Sequence, residues 1–212
     1  MKTLYFALLF AAVPSLAGSE ELPKLPKALV GVYFDYDQPP NEPVGALIES
    51  GVEEILWPLG FDVRWRQASA GSNEVWSDLA FVSFRGRCGF GSAPFGKFVP
   101  SALGWTATVD GQIQPFVEVD CNRIGALLET QVRLGRTPKS ETLFARAVAR
   151  VVAHELYHVF ANTEIHGISG VGKAEFTAHD LLSDDFRFDV PQARRLRMTS
   201  AEDVHLFRQT AK

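Results

Sequence analysis

The stretch Ala147 to Gly172, AVARVVAHELYHVFANTEIHGISGVG, restricts what this chain can become more than any other. Its apolar residues Val148, Val151, Val152, Leu156, Val159 and Phe160 recur at helical spacing, so the same helix carries His154, Glu155 and His158. Residues four apart on a helix lie one turn above each other on one face, which lets the imidazoles of His154 and His158 converge on a single point. Such a point suits a metal ion. Zinc takes imidazole nitrogen at about 2.0–2.1 Å, and a catalytic zinc has three protein ligands with a fourth position left for water. Glu155 sits about 100° further round the helix than His154, beside that ion rather than on it, where it can take a proton from the water. Read instead as a plain structural helix, the stretch would bury an uncompensated carboxylate among valines, which is costly.

A third ligand has to come from outside the helix. Three of the five histidines, His154, His158 and His166, fall within thirteen residues, and His166 is the first histidine after Asn162-Thr163, where the helix is expected to end. Four side chains compete for the place: Glu164, His166, Glu175 and His179. Without a glycine at Ala161 to supply φ > 0, the helix runs on for part of a turn; that extra length favours His166 over Glu164, and Gly167 and Gly170 then let the loop fold back beneath the ion. Glu175 or His179 would bring the ligand from the next helix instead.

His154-Glu155-Leu156-Tyr157-His158 resembles the His-Glu-x-x-His signature of the zincin metallopeptidases. The resemblance implies that His154 and His158 bind zinc and that Glu155 is the general base. The wider stretch, with His166 eight residues after His158 and the glycine-rich turn Gly170-Val171-Gly172-Lys173, looks like a group of uncharacterised secreted bacterial zincins in which the downstream histidine is the third ligand. It departs from the metzincin pattern, which has Gly three residues and His six residues after the second His; here those positions are Ala161 and Glu164. Gly172 stands where some members of the group carry a methionine. The likeness is specific over residues 143–182.

Residues 1–17 have the features of a secretory signal peptide: Lys2 at the charged end, an apolar core from Leu4 to Val13, and Ser15-Leu16-Ala17 as the cleavage site. That apolar run falls short of the ~20 residues needed to span a bilayer. Export to the periplasm or the medium is expected, with no membrane association after cleavage. Residues 18–27, with Pro23 and Pro26 among charges, form a linker, and residues 28–212 are expected to be one catalytic domain, a monomer. The net charge of −4 gives no footprint for nucleic acid. Cys88 and Cys121 are the only cysteines, and an even count in an exported chain favours a disulfide over zinc ligation.

Along the domain, Ala28 to Tyr36 and Leu79 to Phe84 are apolar runs expected of strands covered on both faces, whereas Phe61 to Arg66 alternates as a strand with one wet face. Asn41-Glu42-Pro43 opens a helix with an apolar face from Val44 to Leu56. Gly86 to Pro100 is expected to be irregular, with Phe90, Phe95 and Phe98 packing rather than lining a cleft. Leu103 to Val109 and Ile113 to Val119 form a hairpin about Asp110-Gly111, and Pro115 places an unpaired or bulged segment in it near the sheet edge. Helices follow at Arg123 to Leu134, stopped by Gly135; from Thr137-Pro138 through the histidines; at Ala174 to Leu182; and at Ser200 to Gln209, with His179 and His205 read as surface residues.

This order predicts an α+β fold, and it resembles the N-terminal half of zincin domains, which implies a twisted mixed sheet of about five strands backed by helices, one of which carries the histidines. The reading that unites these features is a secreted zinc-dependent peptidase, an endopeptidase more than an exopeptidase, with His154, His158 and His166 as ligands and Glu155 as general base on a peptide or protein substrate. An inactive zincin-fold binding protein and a non-peptidase zinc hydrolase are the alternatives.

Overall fold

The computed structural model describes residues 28–71, 73–89, 94–131 and 138–199. The leader, the linker, Phe90, the stop at Gly135, the cap at Thr137 and the helix expected over 200–209 lie outside the described residues. Within them the chain runs β1 (Ala28–Gln38), α1 (Glu42–Leu56), a 3-10 turn (Trp57–Leu59), β2 (Phe61–Gln67), β3 (Asp78–Arg87), β4 (Gly104–Val109), β5 (Gln112–Asp120), α2 (Cys121–Gln131), α3 (Pro138–Phe160) and α4 (Ala178–Leu182). A further helix, α5, covers residues 190–199.

The strands form one five-stranded sheet in the order β2-β1-β3-β5-β4. β1, β2, β3 and β5 run parallel, and β4 turns back antiparallel to β5 at one edge. This is the mixed sheet the sequence predicts. The expectation that β1 and β3 are covered on both faces is corrected: Val30, Val32, Ala80, Val82 and Phe84 are fully buried on one face, but Tyr33 and Phe81 on the other are only half-buried. Their apolar character has another cause. Tyr33, Phe81 and Phe116 share one cross-strand row and stack on one another at 5.3 and 5.5 Å, so among the described residues an aromatic ladder covers this face.

α1 begins where Asn41 accepts a hydrogen bond from the Val44 amide at 3.0 Å, and its buried stripe of Val44, Ile48, Val52 and Leu56 packs on α3 and the sheet. The hairpin turn has φ of 51° at Asp110 and 73° at Gly111, the two left-handed residues of a tight hairpin. Pro115 lies where the β4–β5 register steps from Thr106↔Val117 to Thr108↔Ile113, a bulge in β5, and β3 pairs with β5 only from Phe116 onward. The missing N–H is thus placed where no ladder needs it. β5 is nonetheless an inner strand; the edge belongs to β4.

Cys88 and Cys121 are bonded, with Cα atoms 5.0 Å apart, and tie the end of β3 to the start of α2. Closing that loop stabilises the fold by about 3–4 kcal/mol on chain-entropy grounds. Two helix boundaries differ from expectation. α2 starts at Cys121 rather than Arg123, and α4 starts at Ala178 rather than Ala174, because Thr177 accepts from the Asp180 amide while Asp180 accepts from the Thr177 amide, a reciprocal cap that fixes the start. α5 has the same device one helix on: Asp189 and Gln192 exchange main-chain to side-chain bonds of 2.8 and 3.2 Å, with Pro191 in the first turn.

Candidate metal centre

α3 buries almost its whole circumference. Val148, Val152, Leu156 and Phe160 are at most 1% exposed, and the Phe160 ring stacks on Phe61 of β2 at 5.5 Å. The side toward β4 is where the polar residues go: His154, Glu155 and His158 are each only 5–6% exposed. Burying two imidazoles requires partners, and the backbone supplies them. His154 Nδ1 lies 2.7 Å from the Val171 carbonyl oxygen and His158 Nδ1 lies 2.6 Å from that of Thr163. A carbonyl can only accept, so both Nδ1 atoms carry the proton and both Nε2 atoms present a bare lone pair.

Those two lone pairs face each other with the Nε2 atoms 3.1 Å apart. Neither can donate to the other, so the arrangement is repulsive until a shared cation or proton lies between them. Burial, and next the neighbouring His158, hold the His154 pKa down at about 3, and burial lowers that of His158 as well, so neither ring supplies that proton at neutral pH. Ligand nitrogens about 2.0–2.1 Å from a tetrahedral ion are themselves about 3.3 Å apart, which the observed spacing fits.

The chain beyond α3 brings the third imidazole. Asn162 has φ of 44°, the Thr163 amide bonds the His158 carbonyl and the Asn162 amide that of Val159, a helix ending in which Asn takes the left-handed place. The sharp turn therefore comes one residue later than a Gly at 161 would give. Tyr157 donates to the Ile165 carbonyl at 3.1 Å and pins the segment that leads into His166. The nitrogens that His154, His158 and His166 offer all lie within 4.8 Å of one another. The structure does not bring the other candidates in: Glu164 is exposed and accepts from Thr108, Glu175 is exposed at the rim, and His179 is exposed on α4.

A cleft of about 830 Å³ opens beside the imidazoles. Its walls include Leu103, Gly104 and Thr106 of the β4 side, Leu127 of α2 and Phe176, whose ring sits edge-on to His154 at 5.2 Å. Phe95 packs on Phe144 at 5.3 Å as expected, but Phe98 lines this cleft, contrary to the expectation of packing alone. Burial pushes the Glu155 pKa up to about 7, against a lowering hydrogen bond from Thr106. A crystal structure described as archaemetzincin from Methanopyrus kandleri is similar to this chain, with a TM-score of 0.48 and 13% identity over 82% of this chain and 95% of that one. No protein-family model and no curated protein matches the sequence.

Three contributors to the site escape a reading by motif. Thr106 bonds Glu155, Gly104 makes room for it, and Gln192 accepts from the Gly172 amide at 3.3 Å beneath the loop. Only Gly104 leaves a trace in the sequence, as a lone glycine opening a strand, which points to a close approach of backbone. Thr106 depends on sheet register and Gln192 on a tertiary contact.

Proposed function

We propose that the protein is a zinc-dependent peptidase. The observation that carries this is the pair of opposed Nε2 lone pairs on His154 and His158, met by His166 and flanked by the buried Glu155. His154, His158 and His166 would hold the ion, and an all-imidazole donor set suits zinc. Zinc bound there supplies Lewis acidity, which acidifies water and polarises a carbonyl. Glu155 takes the proton of the attacking water on its carboxylate and later passes it to the leaving amine. The carbonyls of Val171 and Thr163 fix the tautomer and the aim of the two helical rings.

β4 is the edge of the sheet beside the cleft, and no described strand pairs with its outer side. An extended peptide adding there as a further strand would lay its backbone past Glu155, which suits cleavage within a chain rather than at its end. The disulfide fits an oxidising, extracytoplasmic compartment, and no described helix is long and apolar enough to cross a membrane. We read the working form as a monomer acting on peptide or protein, not nucleic acid.

The test is turnover of a peptide library by the purified chain with and without chelator. Peptide cleavage that chelator stops and zinc restores is the expected result. Zinc binding without any turnover would favour a binding protein, and ester cleavage without peptide cleavage would favour another hydrolase.

A further inference from the structure

We propose that Thr106 is the positioning residue for Glu155: its hydroxyl holds one carboxylate oxygen, Oε2, so that Oε1 alone serves the cleft. The inference rests on the peptidase reading. Thr106 Oγ1 lies 2.8 Å from Glu155 Oε2 and 3.2 Å from the Glu155 main-chain oxygen. A hydroxyl has one proton to give, and the main-chain oxygen is the more distant and uncharged acceptor, so the proton goes to Oε2. Among the described residues Oε1 has no hydrogen bond to protein, yet it is not among the buried atoms left without a partner. It is therefore open to the cleft.

The terminal torsion of a glutamate is broad, and left alone it would let the two oxygens trade places. With Oε2 held, that exchange has to break a charge-assisted hydrogen bond inside a site that is 5% exposed. Threonine suits the task because its branched Cβ narrows χ1, so the hydroxyl direction follows from the strand. Two residues back on the same face of β4, Gly104 completes the cradle. A Cβ there would sit 3.0 Å from both Cγ and Oε1 of Glu155 and 2.9 Å from Cγ1 of Val151, and would push the carboxylate out of its place or β4 off α3. The edge strand thus both clears the space for the base and fixes its orientation.

A plainer role is open to the same contact, since a bond from β4 to α3 could merely hold strand to helix. Thr106→Val keeps the volume and removes the hydroxyl, and Thr106→Ala serves as a second variant without it. The expected result, on zinc-loaded chain, is unchanged zinc content and KM with kcat lowered about ten- to hundredfold. Thr106→Ser should return kcat to within about threefold of the parent. A crystal structure of the zinc-loaded Thr106→Val chain should show the Glu155 carboxylate rotated or split between rotamers. Parental kcat in both hydroxyl-free variants, a kcat loss matched by equal loss of zinc, failure of serine to rescue, or an unmoved carboxylate would overturn the proposal. If the parent chain cleaves no peptide at all, the peptidase reading falls, and the position of the carboxylate in the two crystal structures still decides the role of Thr106.

Discussion

His154 and His158 are held by a packed helix, whereas His166 is held by a loop that packs little. On α3 the residues around the two histidines are buried except where the cleft opens and at half-buried Val159, and the imidazoles are fastened a second time through Nδ1. The segment 161–177 buries few side chains, chiefly Thr163 and Val171, and leaves Ile168 95% exposed. Main-chain bonds hold it instead: Gly167 to Gly172 at 2.7 Å and Val171 to Arg187 at 3.0 Å. The helix therefore fixes the backbones of His154 and His158, but their rings take their aim from Thr163 and Val171 of the loop. The loop would present the third ligand on a weaker footing, so binding of an ion should order the loop more than the helix.

The largest effects should come from the helical side. His154→Ala or His158→Ala should abolish stoichiometric zinc binding and turnover together, read by metal analysis of the purified chain. Glu155→Gln, between them, should abolish turnover while zinc content stays at the parental level; loss of zinc there would place Glu155 on the ion and break the division of roles. Next in size is His166→Ala, which should weaken zinc by orders of magnitude, about a hundredfold or more, while Glu164→Gln and Glu175→Gln leave the zinc titration nearly unchanged. Undiminished affinity in the His166 variant would mean that the loop supplies no ligand.

Smaller effects test the loop's own support. Gly170 has φ of 63°, and a Cβ there would run into the Arg187 carbonyl oxygen that receives the Val171 amide. Gly170→Ala should therefore lower stability by about 1–3 kcal/mol, and it should weaken zinc as well, because the neighbouring Val171 carbonyl orients His154. A melting curve and a zinc titration on the same sample check both. The smallest effect is one of pH. Burial raises the Asp180 pKa, but hydrogen bonds from Lys173 and Thr177 outweigh it and hold it at about 2, below the ordinary 3.8. Its contribution to holding 173–180 is then complete above about pH 4 and fades as pH falls through about 2. Asp180→Asn should flatten that part of the acid limb in a plot of melting temperature against pH, and an unchanged limb would assign it to other carboxylates.

The same contrast governs what could be read from the sequence. α3, the strands and the hairpin announce themselves because periodicity and turn chemistry are local: Val148 to Phe160 repeat at helical spacing, and Asp110-Gly111 can hardly be other than a tight turn. His166 could be placed by counting residues past the helix end, and Asn162, a residue tolerant of positive φ, marks that end. The coverage of β1 is not legible in the sequence, because an aromatic ladder and a second layer of helices leave the same apolar string. Thr106 was invisible for a different reason. Its partner lies 49 positions away, and which of the β4 residues faces α3 follows from the bulge at Pro115 and the pairing with β5, not from anything in the strand itself.

The disulfide closes a ring of chain from residue 88 to residue 121, and β4, β5 and the turn between them all lie inside it. A single backbone cut anywhere within that ring leaves both pieces covalently attached, one through Cys88 and the other through Cys121. The strand that carries Gly104 and Thr106 cannot then diffuse away from the helix it serves. A nicked molecule should run as one band without reductant and as two with it. Among proteases, where exposed turns such as the one at Asp110-Gly111 are the first to be clipped, damage of that kind would not by itself separate the wall of the cleft from its floor.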